Sequence, residues 1–244
     1  MRDNNQQLKA GITPKKVNLK IFFLVIFSLL MPTIAGVVIG VGEITDQASV
    51  YLIQFATIFI GCLILLILIR FSSFTFREIG FTDLKIGPWI IGIFLIELVV
   101  LVFGFHSEMD AKTVVLLVLF MSSVGVFEEL VYRGFVLKYL SAKNPKSAIF
   151  VSAALFGVGH IVNLLSGADV MMTIVQIIFA FLFGIVCAEI VLLTKNITMV
   201  MVWHTLHNII SQLTAEPSIN IQLIIVSIQC VILIVLGRRL WKKL

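Results

Sequence analysis

The apolar run "IFFLVIFSLLMPTIAGVVIGV" is one of eight in this chain, separated only by short polar stretches. About 20 apolar residues are needed to cross a hydrocarbon core of about 30 Å, and the runs place spans at about 20–42, 50–70, 88–106, 113–138, 147–165, 170–193, 197–214 and 219–237. With 60% hydrophobic and 13% charged residues in 244, the soluble class is excluded. The alternating pattern of a membrane β-barrel is missing, so the expected fold class is all-α, a polytopic transmembrane helix bundle. Cys62, Cys187 and Cys230 lie inside apolar runs without metal-ligand spacing and read as packing residues.

Charge orients the bundle. Sixteen of the eighteen basic residues fall on one side: those of the N-terminal segment, the loops at Arg70–Lys85, Lys138–Lys146 and Lys195, and the tail from Arg238. The opposite loops carry Glu43, Asp46, Glu108, Asp110, Asp169 and Glu216, with Lys112 as their one basic residue. The positive-inside rule then puts both termini in the cytoplasm. It gives a cytoplasmic segment at 1–19, one transmembrane domain at 20–237 and a basic tail at 238–244. The net charge of +5 suits an anionic inner leaflet and calls for no nucleic acid. The first run is too long for the apolar part of a secretion signal and lacks a small-residue cleavage site, so it reads as an uncleaved anchor.

Inside the spans remain Glu97, Glu128, Glu129, Arg133, His160, Glu189, His204 and His207. Charged types cost on the order of 2.5–3.5 kcal/mol each at a helix centre, so such a cluster needs partners or a purpose. In "EELVYR", Glu129 and Arg133 share a helix face with the acid N-terminal, the better order for an ion pair. Glu128 is turned about 100° away. One carboxylate can thus stay ionised and structural while the other, desolvated beside a like charge, is poised as a general base. The alternative is a buried charge cluster that only locks helices together.

"FGVGH" puts Phe156 and His160 on one face of the next span, with Gly157 and Gly159 permitting close helix approach. "HTLHN" puts His204 and Asn208 four apart, with His207 on an adjoining face. An imidazole and a carboxamide pointing the same way can both donate to a developing oxyanion, though both also serve as ordinary interhelical glue. The three patterns together supply the groups needed to hydrolyse an amide with water.

The order EExxxR, FxxxH, HxxxN resembles the CPBP family of intramembrane proteases, which includes the type II CAAX prenyl endopeptidases and relatives tied to bacteriocin immunity. The resemblance spans about 115–212, with Cys187, Ala188 and Asn196 standing where relatives tend to have glycines and a Thr-Gly turn. It implies that Glu128 activates water with help from His160, that His204 and Asn208 hold the oxyanion, and that Glu129 is fixed by Arg133. The substrate expected is a membrane-associated protein or peptide within the lipid bilayer. Zinc, if bound, would use Glu128, His160 and His204, but HExxH is missing and His204 with His207 is not the usual zinc spacing, so a metal-independent glutamate mechanism is favoured. The rival readings are a proton-coupled transporter with Glu97, Glu128, Glu129 and Glu189 as relays, and a non-catalytic bacteriocin immunity protein. Glu97 is expected either to line a cavity or to find a partner on a neighbouring helix, and His106 to be solvated at the outer boundary. The expected span limits set His160 nearer the outer face than Glu128 or His204.

Overall fold

A computed structural model describes residues 14–102, 104–105, 109–214 and 218–244; His106, Glu108 and Glu216 lie outside the described residues. The chain forms α1 (Pro14–Val41), α2 (Gln47–Phe71), the short α3 (Phe76–Ile79), α4 (Ile90–Leu101) and α5 (Ala111–Glu129). A π-helical stretch, Leu130–Val136, joins α5 to α6 (Leu137–Ser141). Then come α7 (Pro145–Gly159), which tightens into a 3-10 turn at His160–Ser166, and α8 (Val170–Thr194), α9 (Thr198–Leu213) and α10 (Ile219–Trp241). The all-α polytopic bundle is as expected.

Each of the eight expected spans contains a helix, but among the described residues only six are long and apolar enough to cross a membrane. The exceptions are α4 with 12 residues and α9 with 16, about 18 and 24 Å at 1.5 Å per residue. These two carry Glu97 and the His204–Asn208 pattern, and they pack against each other, α9 also against α5 and α4 against α10. On α4 the packed face is Ile93, Ile96 and Glu97, while Ile91, Phe94, Leu95 and Leu98 stay exposed, and apolar run length alone overstated the length of both helices.

Helix starts explain part of the charge asymmetry. Asp46, Asp110 and Asp169 accept hydrogen bonds from the backbone N–H of Ser49, Thr113 and Met172 at 2.9, 2.8 and 2.9 Å. These bonds cap α2, α5 and α8, satisfying donors that an α-helix leaves free at its start. The hydrogen bonds from Ser49 and Thr113 hold the Asp46 and Asp110 carboxyls below the usual carboxylate range. Much of one side's acidity is therefore capping chemistry.

Close approach positions the motif helices. A Cβ on Gly157 would lie 2.9 Å from the Ile177 carbonyl oxygen of α8, and one on Gly125 would lie 2.9 Å from the Thr205 nitrogen of α9. The expected contact at Gly157 is thus made, and α5 and α9 meet backbone to backbone one turn from Glu128 and Glu129. At the far end of α9, Asn196 accepts from Met199 N–H at 3.0 Å and donates to the Thr82 carbonyl at 2.5 Å. The Thr82 hydroxyl donates to the Lys195 carbonyl at 2.9 Å. Asn196 fastens the start of α9 to the loop before α4. Burial and the nearby Lys138 charge lower the Lys195 ammonium from its ordinary value.

Candidate active site

The last turn of α5 separates the two glutamates. Arg133 Nη1 donates to Glu129 Oε1 at 2.8 Å, with both side chains wholly buried. Glu128 faces a cavity of about 990 Å³ also lined by Ser28, Tyr132, His160, His204 and Asn208. The pairing survives the change of helix type after Glu129. Within the π-helical stretch Leu137 N–H bonds the Tyr132 carbonyl, five residues back, and that carbonyl also accepts from the Ser152 hydroxyl of α7 at 2.8 Å. The wider turn is thereby tied to α7, and π-helical turns of this kind are frequent at functional sites.

Phe156 joins the patterns. The Arg133 guanidinium carbon lies 4.3 Å from its ring centroid, and Arg133 Nε and Nη2 have no hydrogen-bond partner among the described residues. An aromatic face is a good substitute, because its quadrupole attracts a desolvated cation. The edges of Phe156 meet His160 and His204, with centroids 5.1 and 5.7 Å away and planes at 89° and 85°. His160 Nδ1 lies 3.1 Å from the Phe156 carbonyl; as the donor it leaves Nε2 with a lone pair. His160 lines the same cavity as Glu128 and His204, so the height difference expected from span limits does not separate them.

On α9, His204 is placed between both glutamates. Its Nδ1 is 3.0 Å from Glu129 Oε1, and its Nε2 is 3.5 Å from Glu128 Oε2. Glu129 is therefore more than Arg133's counter-ion, since the same oxygen orients the imidazole that approaches Glu128. Asn208 lines the cavity, and its side chain has no hydrogen bond among the described residues, leaving the carboxamide available.

The sequence patterns missed three further groups. Trp203 Nε1 donates to Glu97 Oε1 at 2.9 Å, and His207 Nδ1 lies 3.2 Å from both Glu97 oxygens. Glu97 thus takes its partners on a neighbouring helix. Tyr132 and Ser28 share a hydrogen bond of 2.9 Å, linking α1 to the motif helix. Separations of 104 to 110 residues put these contacts beyond local spacing, although an intramembrane Glu97 already demanded a partner. Glu189 is buried beside Gly237 of α10, with Oε2 unpartnered among the described residues.

Among the described residues no three His, Cys, Asp or Glu side chains converge to hold a metal ion, the set Glu128, His160 and His204 included.

Residues 110–210 match the model of a family described as type II CAAX prenyl endopeptidase, Rce1-like. The matched segment contains all three motifs and excludes Glu97. Among curated proteins, none matches the chain.

Proposed function

From the premise that this chain carries, over residues 110–210, a domain of the type II CAAX prenyl endopeptidase family, we propose that it is a glutamate-dependent intramembrane endopeptidase cleaving a membrane-associated protein or peptide. The observation that carries the reading is a relay that reaches the cavity from behind its wall: Arg133 holds Glu129, Glu129 holds His204, and His204 faces Glu128 across the cavity lining. The chain is a multi-pass membrane protein, and its charge bias favours both termini in the cytoplasm.

The chemistry needs only these side chains and water. Glu128 takes one proton from a water whose other O–H donates to His160 Nε2. The oxygen adds to the carbonyl carbon, and the charge that develops on the carbonyl oxygen is met by the Asn208 N–H groups. His204, held through Nδ1 by Glu129 with Nε2 turned to the Glu128 side of the cavity, joins them. The C–N bond then breaks as Glu128 returns the proton to the departing nitrogen, giving a carboxylic acid and an amine.

The test is cleavage of a library of membrane peptides by the purified protein. Glu128→Gln keeps shape and removes the base; it should lower the rate at least about 10²-fold with an unchanged melting temperature. Cleavage by Glu128→Gln at the wild-type rate sinks the assignment. Exhaustive treatment with hydrophilic and membrane-permeant chelators should leave activity intact, and loss restored specifically by zinc reverses the metal-independent reading.

A further inference from the structure

Glu97 and His207 belong to none of the three motifs, yet the structure joins them inside the membrane. Glu97 stands on α4, outside the segment that matches the protease family, and is 8% exposed. A carboxylate in such a place is retained only with donors around it, and both of its donors come from α9. Trp203 has a donor and no acceptor, so Glu97 Oε1 accepts from it. His207 Nδ1 lies within reach of both oxygens.

Helix locking alone does not account for His207. The indole bond already fastens α9 to α4, whereas the His207 ring is clamped in a defined orientation at the cavity. It stacks on Phe179 with centroids 5.1 Å apart and planes at 22°, and Phe183 lies against it at 5.7 Å. With Nδ1 turned to Glu97, Nε2 is its one remaining polar atom. That atom has no hydrogen-bond partner among the described residues, and the residue lines the cavity beside Asn208 and His204.

We propose that His207 is a substrate-binding residue whose Nε2 hydrogen-bonds the peptide main chain of the bound substrate, and that Glu97 is the positioning residue that holds it through Nδ1. The kind of ligand rests on the endopeptidase reading; the hold of Glu97 on His207 does not. Glu97 thus brings a residue from outside the protease-like segment to bear on that segment's cavity, between the two members of its last motif.

Two measurements test it. The chain has four histidines, so ring-¹⁵N spectra of histidine-labelled protein in lipid bilayers can be assigned by loss of the His207 signals in His207→Phe. Nδ1 of His207 should carry a proton in the wild type and change its signal in Glu97→Gln. A bare Nδ1 in the wild type overturns the positioning role, whether or not any peptide is cleaved. The second measurement uses a peptide from the membrane-peptide library carrying a photo-cross-linker, titrated against Glu128→Gln protein so that binding is read without cleavage. Adding His207→Phe, which keeps the ring stack, or Glu97→Gln should weaken its capture about tenfold. In the active protein the same changes should raise KM by that factor while kcat stays within about threefold. His207→Gln replaces His207→Phe if the latter does not fold. Wild-type capture in both variants, or a fall in kcat at constant KM, overturns the proposal. Wild-type protein that captures the peptide through His207 but cleaves nothing leaves this inference standing and removes the endopeptidase reading instead.

Discussion

Glu129–His204 and Glu97–His207 are the same pair of groups at nearly the same distance, 3.0 and 3.2 Å, and both imidazoles stand on α9 and line one cavity. They differ in what compensates the carboxylate and in what the second ring nitrogen meets. A fully buried guanidinium compensates Glu129, and a neutral indole N–H assists Glu97. His204 Nε2 faces a second carboxylate, Glu128, whereas His207 Nε2 has no protein partner among the described residues. A carboxylate–imidazole pair therefore does not define a reaction centre by itself; the group opposite the imidazole decides between chemistry and binding.

The largest expected difference between the pairs is in stability. Glu129→Ala strands Arg133 as a buried, uncompensated cation, a change that typically costs about 3–5 kcal/mol. Glu97→Ala leaves only the indole and the imidazole short of an acceptor, so its cost should stay near 1–3 kcal/mol. Thermal melts in detergent rank the two, and an equal or reversed ranking breaks the distinction drawn from their compensating groups.

Next in size is the effect on the reaction barrier. Removing one preorganised oxyanion donor typically costs about 10²–10³ in kcat, and His204→Ala and Asn208→Ala should each show that loss at near-wild-type melting temperature. A loss for Asn208→Ala alone would take His204 out of the oxyanion site and out of the chemistry, and the group opposite the imidazole would no longer separate the two pairs.

Local spacing made the first pair legible and hid the second. Glu129 and Arg133 are one helical turn apart, so their ion pair follows from sequence; the shared use of Glu129 by His204 does not, because it depends on how closely α5 approaches α9 at Gly125. Phe156 was readable only as a neighbour of His160, and its contact with Arg133 needed α7 to be in place. The all-α bundle followed from run length, while the shortness of α4 and α9 did not, because an apolar run does not mark where its helix begins and ends. The anchoring role of Asn196 was not legible either, since its partner Thr82 lies 114 residues away.

Glu189 is the third carboxylate of the comparison, one with neither imidazole nor guanidinium. It is 1% exposed on α8, with Oε2 unpartnered among the described residues and Gly237 of α10 alongside. If the partners of Glu129 and Glu97 are what make an intramembrane carboxylate tolerable, Glu189 is a net liability. Glu189→Met replaces it with an apolar chain of similar length and should raise stability by about 1–3 kcal/mol, the usual penalty of an unsatisfied buried polar group. Cleavage should be unaffected, because Glu189 stands apart from the Glu128 wall. A rise in melting temperature with unchanged turnover sets it beside the other two as the uncompensated case. A fall in stability, or turnover lost in Glu189→Met but kept in Glu189→Gln, would mean that the carboxyl bonds a partner of its own when the protein sits in lipid, and compensation by imidazole or guanidinium would no longer separate working carboxylates from idle ones.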